Sequence, residues 1–353
     1  DTIANASADN ITQINAIGDT TTGVLEATID GNSAELDDLT ANTSQSATCT
    51  YTIVVDDVAT VTQGKAIVDA TSVATVDFST AGLTGALATY IAASGNSIHA
   101  NLTDIKNKDA NVNIVITPAI NNITADQVVQ VNNIALATTG TVEASIDGNI
   151  AELDDLDASG TSATCALTIT VADASSVTAA KSVVDATSLG SVTFTTGITD
   201  TLANCIDTNA IHGDLTAVKN KQGDININLG TINTITASQI THLNLVTDVT
   251  TGTVTVTIDG NIAELDDLST NASQTATCAL TITVADAVTV TTGKVVVDAT
   301  SITSVTFTTG VSDTLANCID TNAIHGNLTA IKNKQGDINI NLGTINTITA
   351  SQI

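Results

Sequence analysis

One stretch constrains this chain more than any other, because it occurs three times. Ile258-Asp259-Gly260-Asn261-Ile262-Ala263-Glu264-Leu265-Asp266-Asp267-Leu268 recurs unchanged from Ile146 to Leu156, and Ile29 to Leu39 differs only by Ser33. Aligned on it, the 353 residues divide into repeat units 1–117, 118–229 and 230–342, and 343–353 restarts the phase of the first eleven residues. The last two units are near copies: Asp200 to Ile240 and Asp313 to Ile353 differ only at Asp214/Asn327 and Val218/Ile331. Self-similarity at a long period marks chains whose units bury their apolar faces on one another.

Within a unit, apolar residues alternate with threonine or asparagine. Val254, Val256 and Ile258 do so, as do Leu280, Ile282 and Val284, then Val305 and Phe307, then Ile338, Ile340 and Leu342. A period of two with polar residues outward marks half-buried strands. Helical signals lie between them. Thr236/Gln239 and Asn261/Glu264 read as capping boxes, and Leu315, Cys318 and Ile319 share one side of a short helix. Asp259-Gly260 reads as the turn between strand and helix. Strands joined by helices pair in parallel. The expected fold is an α/β repeat: one elongated right-handed parallel β-solenoid with short helices between strands, about four coils per unit. Tandem β-sandwich domains are the competing fold. Pro118 falls at a unit boundary, and neither end carries a polar cap, so continuation by more chain or by head-to-tail packing is expected.

Composition narrows the function. The net charge is −28, with 37 acids against nine lysines and no arginine, which opposes nucleic-acid binding and docking on anionic membranes. No run of about 18 apolar residues exists that could span a bilayer. Aromatics make up 1% of the chain. Uniform small and β-branched side chains therefore have to form the core.

Most residues that could carry chemistry recur in register. Lys65, Lys181 and Lys294 are equivalent, and so are His99, His212 and His325, leaving His242 as the one histidine without a counterpart. Equivalent positions four coils apart are too distant to share a metal or a proton. The aspartates at Asp30, Asp37 and Asp38, at Asp147, Asp154 and Asp155, and at Asp259, Asp266 and Asp267 put hard oxygens on one loop and helix, a candidate calcium site, although no EF-hand loop is present. Cys165 and Cys205, and Cys278 and Cys318, form two pairs with the same spacing. They read equally as disulfides between coils or as buried thiols packing as hydrophobes. In unit one Tyr90 replaces the second cysteine, which leaves Cys49 as an odd thiol, reduced or bonded to another chain.

The acidic Thr/Ala/Asp-rich units built around Ile-Asp-Gly-Asn-Ile-Ala-Glu-Leu resemble repeats of giant cell-surface and secreted proteins of bacteria, marine cyanobacteria especially. That resemblance implies a role outside the cell. The expected function is structural and not enzymatic: a filament, fibre, sheath or surface layer in which copies stack end to end. An adhesin or phage-fibre shaft that binds cell-surface glycans, stabilised by calcium, is the alternative. A polysaccharide-cleaving enzyme would need acids that do not recur, and these do.

Overall fold

The computed structural model describes residues 2–40, 46–71, 75–78, 80–157, 162–188, 190–268, 276–299, 304–321 and 323–345. Of the expected fourth-unit start at 343–353, residues 346–353 lie outside the described residues. The chain forms two compact units, Asp1–Asp173 with Ser182–Thr193, and Ala174–Lys181 with Phe194–Ile353.

Two parallel sheets organise the first unit. One runs Thr2–Ile3, Thr28–Gly31, Thr52–Val55, Val76–Asp77, each strand beside its predecessor. The other runs Leu83–Gly85, Ile114–Ile120, Thr141–Gly148, Thr164–Val171, with Val192–Phe194 at its edge. The second unit carries a five-stranded sheet, Ile198–Thr199, Ile227–Ile232, Thr253–Gly260, Thr277–Val284, Ser304–Phe307. In the same unit Val311–Ser312 pairs in parallel with Ile340–Asn341. Helices alternate with these strands as crossovers, as parallel pairing requires. The helices start where the sequence places caps: Thr236 and Gln239 form the reciprocal box on helix Ala237–Val249, and Thr124 and Gln127 do the same on Ala125–Ala137.

The architecture is an α/β fold of several parallel sheets alternating with helices, in Rossmann-like layers, and not the expected β-solenoid. It is not a row of β-sandwiches either, because the large sheets are parallel and only the short pairs Ile206–Asp207/Ala210–Ile211 and Ile319–Asp320/Ala323–Ile324 are antiparallel among the described sheets. The overturning finding is that strands are gathered into separate sheets. The reason lies in three equivalent glycines. Gly82, Gly197 and Gly310 adopt φ of +76, +85 and +81. Each stands just before the first strand of a new sheet, at Leu83, Ile198 and Val311. At this left-handed backbone the pairing shifts: the glycine carbonyl accepts from the N–H of Ala59, Ser175 or Val288, four residues past strands Thr52–Val55, Thr164–Val171 and Thr277–Val284. A Cβ at these positions would also meet the carbonyl oxygen of Asn113, Asn226 or Asn339 at 2.6, 2.3 and 2.3 Å. Alternation of apolar residues continues on both sides of each glycine, so periodicity alone could not mark the break.

The expected boundaries 117/118 and 229/230 fall inside the strands Ile114–Ile120 and Ile227–Ile232. Pro118 sits where the register of the first of these slips, between Ile116 and Ile120. Asp259–Gly260 is the end of a strand still paired with Thr283–Val284 and not a separate turn. The β-branched run Val295–Val297 is helical, as part of Val290–Asp298. Side chains alternate in and out along Thr164–Val171 and Thr253–Gly260, and their inward residues Leu167, Ile169, Val254, Val256 and Ile258 are all buried. Each such burial contributes about 1.5–3 kcal/mol. The few aromatics are used as anchors: Tyr51, Phe78 and Tyr90 are fully buried in the first unit, and the Tyr90 hydroxyl donates to the Val115 carbonyl at 3.2 Å.

Candidate functional site

The thrice-repeated stretch builds the same local structure each time. A strand ends, and a four-residue helix follows at Ser33–Leu36, Ile150–Leu153 and Ile262–Leu265. The asparagines expected to cap these helices, Asn261 and its equivalents Asn32 and Asn149, make no side-chain cap bond. The first helical N–H instead donates to a carboxylate two residues beyond the neighbouring strand. Ser33 donates to Asp57 Oδ1 at 2.5 Å, Ile150 to Asp173 Oδ1 at 2.7 Å and Ile262 to Asp286 Oδ1 at 2.8 Å. An acid facing a helix N-terminus satisfies an orphan donor and complements the dipole. Past the helix, the backbone carbonyls of Asp38, Asp155 and Asp267 accept from the side-chain amides of Asn15, Asn132 and Asn244. The motif is thereby latched on both sides.

These placements bear on calcium. Asp147 Oδ1 accepts from the Asn122 N–H at 2.6 Å, and a side-chain hydrogen bond with Asp30 is the main cause that raises the Asp56 carboxyl above its ordinary range. Burial raises the carboxyls of Asp37 and Asp154, with their acidic neighbours adding to it and a Gln63 hydrogen bond opposing it at Asp37. Asp38, Asp155 and Asp267 are exposed, and Asp259 and Asp266 are half-buried. Among the described residues, no three His, Cys, Asp or Glu side chains gather into a group that could hold a metal. The nine aspartates are spread between the strand end and the helix exit of each repeat. The glutamate between them, read from the sequence only as half of a capping box, is placed otherwise: one carboxylate oxygen of Glu35, Glu152 and Glu264 is sealed from solvent with no hydrogen-bond partner in all three copies. It stands in the first helical turn, where the dipole favours negative charge.

All five cysteines are buried as thiols. Cys205 lies beside Asp200, Cys278 beside Asp248 and Cys318 beside Asp313. Cys165 is an inward residue of Thr164–Val171, and Cys49 lies against the Tyr51 hydroxyl. Burial pushes the Cys205 thiol up to about 12 and that of Cys278 to about 11, which removes the thiolate a nucleophile needs.

The three equivalent histidines are helix N-caps, a role the sequence did not suggest. Nδ1 of His99, His212 and His325 accepts from the N–H of Asn101, Asp214 and Asn327 at 3.1, 3.2 and 3.2 Å. The lysines at 106/108, 219/221 and 332/334 occupy last helical turns, where cations face the helix C-terminus. Lys65 pairs with Asp69 and Lys294 with Asp298 one turn along their helices.

The most developed arrangement is a contact between successive repeats, made once in each compact unit. In the first unit Thr138 Oγ1 donates to the Val112 carbonyl at 2.6 Å, and the N–H of Thr139 donates to the Ala110 carbonyl at 2.8 Å. The Gly140 N–H turns back to Thr138 Oγ1 at 2.9 Å, and the Thr141 N–H reaches Asn113 Oδ1 at 2.8 Å. In the second unit Thr250 Oγ1 donates to the Ile225 carbonyl at 2.7 Å and the Thr251 N–H to that of Gly223 at 3.2 Å. The Gly252 N–H donates to Thr250 Oγ1 at 2.9 Å and the Thr253 N–H to Asn226 Oδ1 at 2.8 Å. Donors and acceptors match one for one. The glycine is required at both places, because a Cβ would lie 2.3 Å from the carbonyl oxygen of Asn111 or Asp224. No known family model matches this chain, and no curated protein is significantly similar to it. The arrangement is suited to holding one repeat against the next. The strands of each large sheet, among the described residues, follow chain order without a reversal. Among the described residues, no helix is long and apolar enough to cross a membrane.

Proposed function

We propose that this chain is a structural repeat protein, forming part of a filament, fibre, sheath or surface layer outside the cell by end-to-end association. One observation carries the reading: the repeat-to-repeat contact is made twice with the same set of hydrogen bonds. A contact specified by backbone carbonyls, a threonine hydroxyl and a glycine can be propagated by any further copy of the unit. The recurrence in register of acids, lysines and histidines, with the histidines and several acids committed to helix starts, supports scaffolding over catalysis. The location outside the cell rests on the resemblance of the repeats to bacterial surface proteins. Electron microscopy of the purified chain across a concentration series tests the reading. Extended assemblies are expected, and particles that remain single at every concentration would refute it.

A further inference from the structure

One histidine in each repeat ties a corner of the fold through three of its atoms. His99, His212 and His325 stand between a short antiparallel turn and the helices Ala100–Lys108, Gly213–Lys221 and Gly326–Gln335. Their backbone N–H groups donate back across the turn, to the carbonyls of Tyr90, Cys205 and Cys318 at 2.7, 2.9 and 2.8 Å. Their carbonyls accept from the N–H of Thr103, Thr216 and Thr329, at 3.1 Å in every copy. The third link is the ring: Nδ1 accepts from the helical N–H of Asn101, Asp214 and Asn327. Of the three links, only this one can be broken by a proton.

Nδ1 accepts while its lone pair is free, so the neutral ring carries its hydrogen on Nε2. A proton on Nδ1 turns the acceptor into a donor facing another donor. It also sets a positive charge at the positive end of a helix dipole. Both effects disfavour the charged ring in the folded chain, so the unfolded chain takes the proton first. Stability present at higher pH is therefore lost as pH falls through the range of about 5 to 8 in which imidazoles titrate. The rings are half-buried, within reach of solvent protons.

The surrounding charges differ between copies. The Asp214 carboxylate lies 3.6 Å from His212 Nδ1 and offers the charged ring a new partner, whereas Asn101 and Asn327 hold that place in the other copies. The turns carry Asp207 and Asp320, and the neighbouring helices carry Asp126, 3.5 Å from Asn96, and His242, 3.5 Å from Asn209. Helices Val61–Asp69 and Val290–Asp298, packed on the first and third capped helices, bring the pairs Lys65–Asp69 and Lys294–Asp298. Burial holds the Tyr90, Cys205 and Cys318 side chains protonated and uncharged over this range.

We propose that the three histidines are acid-sensitive latches. Neutral, each holds its corner closed; protonated, each uncaps its helix and frees the turn leading into it, so the fold loosens in mild acid. This goes beyond the structural reading above and does not rest on it.

Urea unfolding of the full chain at pH 8 and pH 5 tests it, with the wild type set beside a triple variant, His99→Asn, His212→Asn and His325→Asn. Asparagine caps a helix without titrating, so the two proteins should unfold alike at pH 8. At pH 5 the wild type should lose, relative to the variant, roughly fivefold in its folding equilibrium per histidine, the worth of an ordinary cap. Carboxylates titrate in both proteins and cancel in the difference. His212→Asn alone should recover less than His99→Asn or His325→Asn, because Asp214 receives the charged ring. His242 lies within a helix, and His242→Asn should leave the acid loss as in the wild type. A difference between wild type and triple variant that does not move with pH would overturn the proposal. A second reading needs no substitution at the latches: the chain has four histidines, and nitrogen-15 spectra at pH 8 should show the three capping rings with hydrogen on Nε2. Capping rings that carry it on Nδ1 would overturn the proposal as well.

Discussion

Substituting Gly252 by alanine tests the physical basis of the repeat contact most directly. The new methyl carbon would stand 2.3 Å from the Asp224 carbonyl oxygen and 2.4 Å from that of Ile225. Ordinary contact begins near 3.4 Å, so both carbonyls must retreat by about 1 Å, and overpacking of this kind costs about 1–3 kcal/mol. The Ile225 carbonyl also accepts from Thr250 Oγ1 at 2.7 Å, and the Gly252 N–H donates to that hydroxyl. A shift of that size lengthens both bonds past usefulness, at about 1 kcal/mol each. The expected loss is therefore about 3–5 kcal/mol, partly offset by alanine's smaller entropy in the unfolded chain, about 0.4–1 kcal/mol. Urea unfolding followed by circular dichroism measures it. Gly223→Ala is the control: no atom lies within 4 Å of its Cβ position and its φ is not left-handed, so it should be neutral or stabilising by up to about 1 kcal/mol. A Gly252→Ala protein within about 1 kcal/mol of wild type would refute the steric argument, and with it the reason for the glycine in both copies of the contact.

Asp286→Ala removes the acceptor of the Ile262 N–H and should lower stability by about 1–2 kcal/mol in the same assay, whereas Asp267→Ala, an exposed carboxylate whose backbone makes the contact, should stay within about 0.5 kcal/mol. Burial raises the Asp109 carboxyl above its ordinary range, against the N–H groups of Phe78 and Asn111 that favour its charged form, and Asp77 adds to the rise. The folded state then binds this proton more tightly than the unfolded one, so the group's contribution to stability grows as pH falls through its folded-state pKa and is complete below the unfolded value. Asp109→Gln places there the residue that serves at Gln222 and Gln335, and the difference between variant and wild type in urea melts should shrink or reverse in favour of wild type as pH is lowered from neutral; a difference that does not move with pH refutes the assignment. Protein isolated without reductant should show five thiols after denaturation and none reacting in the native state; a count of one would restore the two disulfides, Cys165–Cys205 and Cys278–Cys318.

Elements were legible where one physical signal acts alone. Alternating Val, Ile and Thr produced strands Thr253–Gly260 and Thr277–Val284, and Thr236 with Gln239 marked a helix start to the residue. The grouping of strands into sheets was not legible, because it turns on the backbone angles of Gly82, Gly197 and Gly310, and nothing in the local pattern separates these from any other glycine. The capping of the four-residue helices was misread for a related reason. Asn261 has the right chemistry and spacing, but its backbone carbonyl takes the Glu264 N–H that its side chain would have capped, and the first helical N–H goes to Asp286. The histidine caps escaped notice because histidine is an uncommon cap, although its recurrence at one place before Leu102, Leu215 and Leu328 was a signal available to be read. The calcium expectation took Asp density as a proxy for convergence, and the fold spreads those acids from the strand end to the helix exit of each repeat.

The order of strands within the sheets bears on how the chain reaches its fold. Thr164 pairs with Thr141, Thr277 with Thr253 and Ser304 with Thr281, so every strand in these pairs finds its neighbour in the segment made just before it. Parallel pairing usually slows folding because distant stretches must search for one another. Here the search is confined to a couple of dozen residues, and a nascent polypeptide leaving the ribosome can lay down each strand on a template already in place. The same economy carries a hazard: two segments that differ at only two positions in 41 offer a growing edge two nearly equivalent templates.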